Sequence, residues 1–250
     1  MSRIAVAGAT GTVGTKISAR LTAAGHTVVP VSRAAGVDLR TGAGLKEALA
    51  GADAVIDAAN AFPSDPAADV VEAVAGATRL LLDTARDLGV GRFLLVSICN
   101  IENPVFDTNP YYVAKREQEK AVAASGLRGT VVKTTQWHEF ATNPAAVAFG
   151  EGAVTVGDWL IQPVAADVVA DVVAELVVAD DAPEIVELSG PETVRLPELT
   201  ARLLAARGDD RPVTTVPAAV PELSEGAQLA PATARIVGPT IEEWLRTQAR

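Results

Sequence analysis

The sequence predicts an α/β fold, a doubly wound parallel sheet with a small C-terminal α/β lobe. Three observations lead there. Over the first 135 residues, five short apolar runs alternate with helical segments, and strands separated by helices build parallel sheets. The runs are almost purely apolar, as strands are when helices cover both faces of a sheet. A glycine-rich loop stands between the first run and the first helical segment, where a doubly wound sheet makes its tight strand-to-helix turn.

Ile4 to Ala7 is the first strand, and Thr12 to Ala24 the first helix. Val13, Ile17 and Leu21 fall on one stripe of that helix, and Gly25 closes it. Thr27 to Val31 is the second strand, Leu45 to Ala50 a short helix, and Ala54 to Ala58 the third strand. Asp69 to Leu88 reads as a long helix stopped by Gly89, and Phe93 to Ser97 as the fourth strand. Tyr111 to Ala124 is a polar-faced helix stopped by Gly126, followed by a fifth strand, Thr130 to Thr134. Beyond residue 135 the rhythm loosens. An irregular stretch, 135–163, precedes a helix at about 165–179, a strand at Ile185 to Leu188 and a helix at Leu196 to Ala206. A strand at Val213 to Val216 and a helix at Thr240 to Gln248 complete the chain, with a Pro-dotted surface loop between Pro212 and Pro231. No linker or repeat interrupts it. The expected organisation is a core over 1–150 and a small substrate lobe over 151–250, integral to the same domain.

Composition narrows the function. The chain has 250 residues, 49% of them hydrophobic and only 4% aromatic, so its core is built from Ala, Val, Leu and Ile. The net charge of −10 makes nucleic acid and anionic membranes poor partners. An anionic cofactor then depends on local N–H groups and a few placed cations. One cysteine, Cys99, excludes an internal disulfide, and a reducing, cytoplasmic setting fits. With His26 and His138 as the two histidines, no metal site is expected. Val164 to Val178 is the most apolar later stretch, but Asp167, Asp171 and Glu175 break it as a membrane span. The start of the chain, Arg3 to Ala7 running into Gly8, has no signal-peptide pattern.

Gly8-Ala9-Thr10-Gly11-Thr12-Val13-Gly14 is the loop after the first strand. Such spacing is weak evidence alone; its place between strand and helix gives it weight. Gly8 allows the tight turn, Gly11 lets the backbone approach a pyrophosphate, and Gly14 lets the helix pack close. The helix N-terminus offers free N–H groups and a positive dipole end. Where an acid would bind the ribose 2′-OH of NAD, the second strand ends Val31-Ser32-Arg33. Ser32 and Arg33 suit a 2′-phosphate, so NADP(H) is favoured over NAD(H).

Tyr111 and Lys115 stand at i,i+4 and share a helix face. Together with the G-x-x-G-x-x-G loop, the Val37-Asp38-Leu39 turn and the run Tyr111-Tyr112-Val113-Ala114-Lys115, this resembles the short-chain dehydrogenase/reductase superfamily. The glycine spacing is similar to its extended and atypical branches, especially the NmrA-like NAD(P)-binding reductases. The resemblance is clear over residues 3–140 and looser beyond. It implies a Rossmann core, with Asp38 and Leu39 against the adenine and Ala58, Ala59 and Asn60 lining the cofactor. It also implies that Lys115 holds the nicotinamide ribose and lowers the phenol pKa, while Tyr111 acts as general acid to a carbonyl oxygen. Tyr112, at i+3 from Lys115, is the alternative tyrosine. Ser97 is the hydroxyl just past the fourth strand, either orienting substrate or satisfying backbone. Cys99 reads as a small buried hydrophobe.

Thr135-Gln136-Trp137-His138-Glu139-Phe140 follows the fifth strand, on the side where doubly wound sheets bind ligands. Thr135 and Gln136 can bond the carboxamide, and His138 is either a titrating substrate contact or a surface residue. Lys133, a charge inside a strand, either snorkels or meets the cofactor. Phe62, Phe106, Tyr111, Tyr112, Trp137, Phe140, Phe149 and Trp159 fall in segments expected to border the cleft, whereas Phe93 and Trp244 do not. The substrate is therefore expected to be a small, apolar carbonyl or quinone-like molecule. Two other readings stand beside a reductase. One is an NmrA-like redox sensor without turnover, which the retained Tyr111 disfavours. The other is an NAD-dependent sugar epimerase or dehydratase, which Ser32-Arg33 and the short C-terminal lobe disfavour. Monomer and homodimer are both compatible with the sequence.

Overall fold

Runs that are apolar on every residue become central strands, and runs with an apolar stripe become the helices that cover them. The structure is a computed structural model and describes residues 1–249. In chain order the elements are β1 (Arg3–Ala7), α1 (Thr12–Ala23), β2 (Thr27–Val31), α2 (Leu45–Leu49), β3 (Ala54–Asp57), α3 (Val70–Asp87) and β4 (Arg92–Ile98). Next come α4 (Pro110–Ala124), β5 (Arg128–Thr134), β6 (Val147–Phe149), β7 (Val154–Gly157), β8 (Leu160–Ile161) and α5 (Ala166–Val178). The chain ends with β9 (Ile185–Ser189), β10 (Val194–Arg195), α6 (Leu196–Ala206), β11 (Val213–Val216), β12 (Arg235–Ile236) and α7 (Ile241–Arg246).

The main sheet is parallel and has seven strands in the order β12-β9-β5-β4-β3-β1-β2. β1 pairs with β2 on one side, Ile4 opposite Val28, and with β3 on the other, Ile4 opposite Ala54. Strand order reverses at β1, and crevices for ligands form beyond the strand ends at such a reversal. Burial follows position. Ile4 to Ala7 are fully buried in the middle of the sheet, whereas the edge strand β2 leaves Thr27 and Pro30 exposed. Pro30 cannot donate to a ladder, and an edge tolerates it.

The chain forms two compact units, each assembled from three segments. The first comprises Met1–Ser97, Phe106–Lys133 and Val169–Val186; the second comprises Ile98–Val105, Thr134–Val168 and Glu187–Arg250. The units alternate along the chain, where the sequence suggests one change near 150. The first unit has a mainly aliphatic core: Val31, Leu45, Leu49, Val55, Leu81, Leu95 and Val131 share one buried cluster with Phe93. α3 contributes Val74, Leu81, Leu82 and Ala85 to its buried face, and its first turn is capped by Asp69, which accepts from the Val71 and Glu72 amides. In the second unit, the stretch expected to be irregular contains β6, β7 and β8. β7 pairs antiparallel with β6 and parallel with β11, and β8 pairs antiparallel with β10. Strands this short carry no readable alternation. Among the described residues, no helix is long and apolar enough to cross a membrane.

Candidate functional site

The strand reversal gathers the first unit's candidate residues. Gly8 follows β1 with φ +76, a backbone that L side chains rarely adopt, and a Cβ there would stand 2.6 Å from the Ala58 carbonyl oxygen. The loop after β1 therefore closes directly on the loop after β3. A Cβ on Gly14 would stand 2.1 Å from the Gly8 carbonyl oxygen, so α1 lies tight against the turn. Gly11 donates its amide to Gly8 at 2.9 Å and caps α1 with extended backbone and no side-chain hydrogen bond. The first helical amides, Thr12, Val13 and Gly14, have no intrahelical acceptor, and no acid occupies that first turn. This cradle suits a diphosphate.

Beyond β2, Ser32 precedes a 3-10 turn and Arg33 is exposed. Asp38 accepts from the Arg40 amide at 2.9 Å and from its guanidinium, which hold its carboxyl below the usual range. The Leu39 side chain belongs to the core, which leaves its backbone to offer a ligand. At the end of β3, Asp57 is buried; it accepts from the Thr78 hydroxyl at 2.6 Å and the Ala59 amide at 3.0 Å. Burial pushes its pKa up, against the Thr78 bond and the nearby Lys115 charge.

Asn109 caps α4 by accepting from the Tyr111 amide at 3.0 Å, and Pro110 takes the first helical position. The Tyr111 hydroxyl donates to Asn60 Oδ1 at 3.3 Å, and its ring lies 5.3 Å from that of Phe62. Burial raises the Tyr111 pKa, partly offset by the Asn60 bond. Tyr112 turns inward, 4.4 Å from the Phe106 ring, with both residues buried. These two aromatics belong to the interior and not to a cleft wall, because i+1 on a helix points to another face. Lys115 is buried one turn after Tyr111 and donates to the Val96 carbonyl at 2.8 Å. Burial lowers its pKa to about 8, and the carboxylates of Asp57 and Glu119 hold it up against a larger fall. Ser97, next to Val96, donates its hydroxyl to Glu119 Oε1 at 2.5 Å. Lys133 pairs with Glu119 Oε2 at 3.4 Å. Sequence reasoning missed Asp57 and Glu119. Glu119 repeats the four-residue step from Tyr111 through Lys115, and Asp57 ends an apolar strand with an acid; both signals were readable.

The second unit holds the remaining candidates. The Thr135 hydroxyl is committed to the Gln162 carbonyl at 2.6 Å. Gln136 is buried and donates to Gln228 Oε1 at 2.7 Å. Trp137 donates to the Thr134 hydroxyl at 3.0 Å, and the Phe140 and Trp159 rings are 5.1 Å apart. Phe149 is exposed under the Arg211 guanidinium. His138 is not a surface residue: it is 0% exposed and its ring lies 4.9 Å from Trp244. Cys99 is buried, as expected.

Burial lowers the His138 pKa to about 4, against the opposing Glu192 charge and the Pro163 carbonyl. The folded state thus binds this proton more weakly than the unfolded chain. The resulting stability is complete above the unfolded value of 6.5 and is lost as pH falls toward 4. Urea unfolding is expected to show about 2 kcal/mol less stability at pH 5 than at pH 7 from this group. In His138→Phe that difference should shrink by the same amount; an unchanged pH dependence would refute it.

Residues 8–180 match a family model described as NAD(P)H-binding. The chain is 31% identical over 224 residues to a (4-alkanoyl-5-oxo-2,5-dihydrofuran-3-yl)methyl phosphate reductase from Streptomyces griseus, over 82% of this chain and 74% of that one. In fold it is similar to an NAD-bound short-chain dehydrogenase/reductase superfamily protein from Agrobacterium tumefaciens, with TM-score 0.73, 16% identity, and 98% and 95% of the two chains covered. It is also similar to UDP-glucose 4-epimerase from Bifidobacterium longum in complex with NAD+ and UDP, with TM-score 0.76, 14% identity, and 99% and 97% covered.

Proposed function

The chain belongs to the NAD(P)H-binding family and has the fold of the short-chain dehydrogenase/reductase superfamily; on that premise we propose that it is an NADP(H)-dependent reductase of a small, apolar carbonyl or quinone-like substrate. One observation carries the reading. The Tyr111 hydroxyl is bonded to Asn60, two residues past the Ala58 that closes on Gly8, with Lys115 one helical turn away. A proton donor and a cation thus stand beside the glycine cradle.

The amides of Thr12, Val13 and Gly14, with Thr10 and Gly11, would hold the diphosphate. Ser32 and Arg33 would take the 2′-phosphate, Asp38 and the Leu39 backbone the adenine side, and Ala58, Ala59 and Asn60 the central part. When bound, the nicotinamide supplies a hydride. Tyr111 gives its proton from Oη to the substrate oxygen. Burial keeps that proton on the phenol until the oxygen becomes basic enough to take it, and the Lys115 ammonium then stabilises the phenolate. The reductase relative is named for an alkanoyl-bearing oxodihydrofuran with a methyl phosphate; its conjugated, alkyl-bearing ring supports a reducible substrate with an apolar part, and its phosphate does not. Gln136, Trp137, Phe140 and Trp159 are the side chains proposed for substrate selection.

Fluorescence titration with NADPH and NADH, then a panel of aldehydes, quinones and unsaturated lactones, tests the reading. Cofactor oxidation by a member of the panel is expected. Binding without turnover across the panel would favour a sensor, and tightly held NAD in the purified protein a sugar-nucleotide enzyme. Arg33→Ala should weaken NADPH binding by about 10–100-fold, the loss of one charge-assisted contact, and leave NADH nearly unchanged. Equal loss for both dinucleotides would refute the 2′-phosphate assignment.

A further inference from the structure

Charged side chains of both signs meet inside the first unit, and the proposed chemistry uses one of them. Lys115 and Asp57 are buried on α4 and β3, and Lys133 is buried on β5. Glu119 lies one turn beyond Lys115 on α4. Its two carboxylate oxygens have different tasks: Oε1 accepts the Ser97 hydroxyl at 2.5 Å, and Oε2 faces Lys133 Nζ at 3.4 Å. Lys115 is faced by Asp57 from β3, by the Val96 carbonyl from β4, and by Glu119 and Tyr111 along its own helix. Two ammonium groups thus balance two carboxylates, and buried charges persist only when so paired.

A serine hydroxyl has one proton to give, and an ionised carboxylate only accepts. While Glu119 is ionised, the Ser97 proton is spent on it, and Ser97 can offer other groups only its lone pairs. We propose that Glu119 is a positioning residue for the reduction: it turns Ser97 from donor to acceptor and holds the Lys115 ammonium charged, with Lys133 as its counter-charge. The proposal rests on the roles given to Tyr111 and Lys115 above. It leaves Tyr111 as the proton donor and explains the charge inside β5.

Two substitutions push Lys115 in opposite directions. Glu119→Gln keeps the shape and an acceptor for Ser97 but removes the negative charge. Lys133→Met removes a competing cation and leaves the Glu119 charge to Lys115. In cofactor-free protein with carbon-labelled lysines, the Lys115 signal, assigned with Lys115→Arg, can be titrated by NMR. Its midpoint should fall by about one pH unit in Glu119→Gln and rise in Lys133→Met. No movement, or movement in the same direction, overturns the proposal. If one variant does not fold, the sign in the other decides. The alkaline limb of kcat/KM should move with the midpoint; a fixed limb under a moving midpoint overturns the link to reduction. Failure of the function itself reads out separately, as turnover that survives loss of the Tyr111 hydroxyl.

Discussion

Tyr111→Phe is expected to lower kcat by about 100- to 10,000-fold, the range for loss of a positioned acid. NADPH affinity should change far less than kcat, because the hydroxyl touches one residue proposed to line the cofactor, Asn60, through a long 3.3 Å bond, and no part of the glycine cradle. The ring remains, so its stacking on Phe62 and the start of α4, capped through backbone by Asn109, are kept. Tyr112→Phe is the control: its ring packs on buried Phe106, and its turnover should be close to that of the parent. Full turnover in Tyr111→Phe, or an equal loss in Tyr112→Phe, would end the assignment. Measuring kcat and NADPH affinity on the same preparations separates chemistry from binding.

Gly14→Ala should be severely damaging for a single added methyl group. Its Cβ would stand 2.1 Å from the Gly8 carbonyl oxygen and 2.7 Å from the Gly8 carbonyl carbon. Those are backbone atoms and cannot rotate aside, and the same oxygen already accepts the Gly11 amide. Relief requires α1 to lift away from β1, which breaks the cradle and loosens Val13, Ile17 and Leu21 from the core. Overpacking of this kind costs about 1–3 kcal/mol, occasionally more. The expected result is a lower Tm together with loss of NADPH binding. Gly11→Ala is the comparison: its φ of −82 is ordinary and its Cβ would stand 3.2 Å from that oxygen. It should keep the fold and weaken only the dinucleotide. A Gly14→Ala protein with parental Tm and affinity would show that the close packing has no role.

The features readable in advance are those written locally. The glycine loop, the i,i+4 step from Tyr111 to Lys115 and the apolar strands each need only a few neighbouring residues, and the structure reproduces those elements to within a residue or two. Partners separated in sequence were not readable. Lys133 looked like a stray charge until β5 set it against Glu119 of α4. Ser97 donates its hydroxyl to the same carboxylate, a partner that lies 22 positions away in sequence. The aromatic count also needed packing: Phe106 and Tyr112 turned inward on each other, whereas Tyr111 met Phe62.

Local chemistry alone was enough for the fold class, the glycine loop between β1 and α1 and the shared helix of Tyr111 and Lys115, because backbone conformation and helix spacing act over a few residues. Three matters depended on the assembled chain. They are the reversal of strand order at β1, the ionic network shared by Ser97, Lys115, Glu119 and Lys133, and the burial of His138 against Trp244. Each depends on residues brought together by packing across tens of positions. Burial then alters their proton affinities through desolvation and neighbouring charge, and neither exists until the chain has folded.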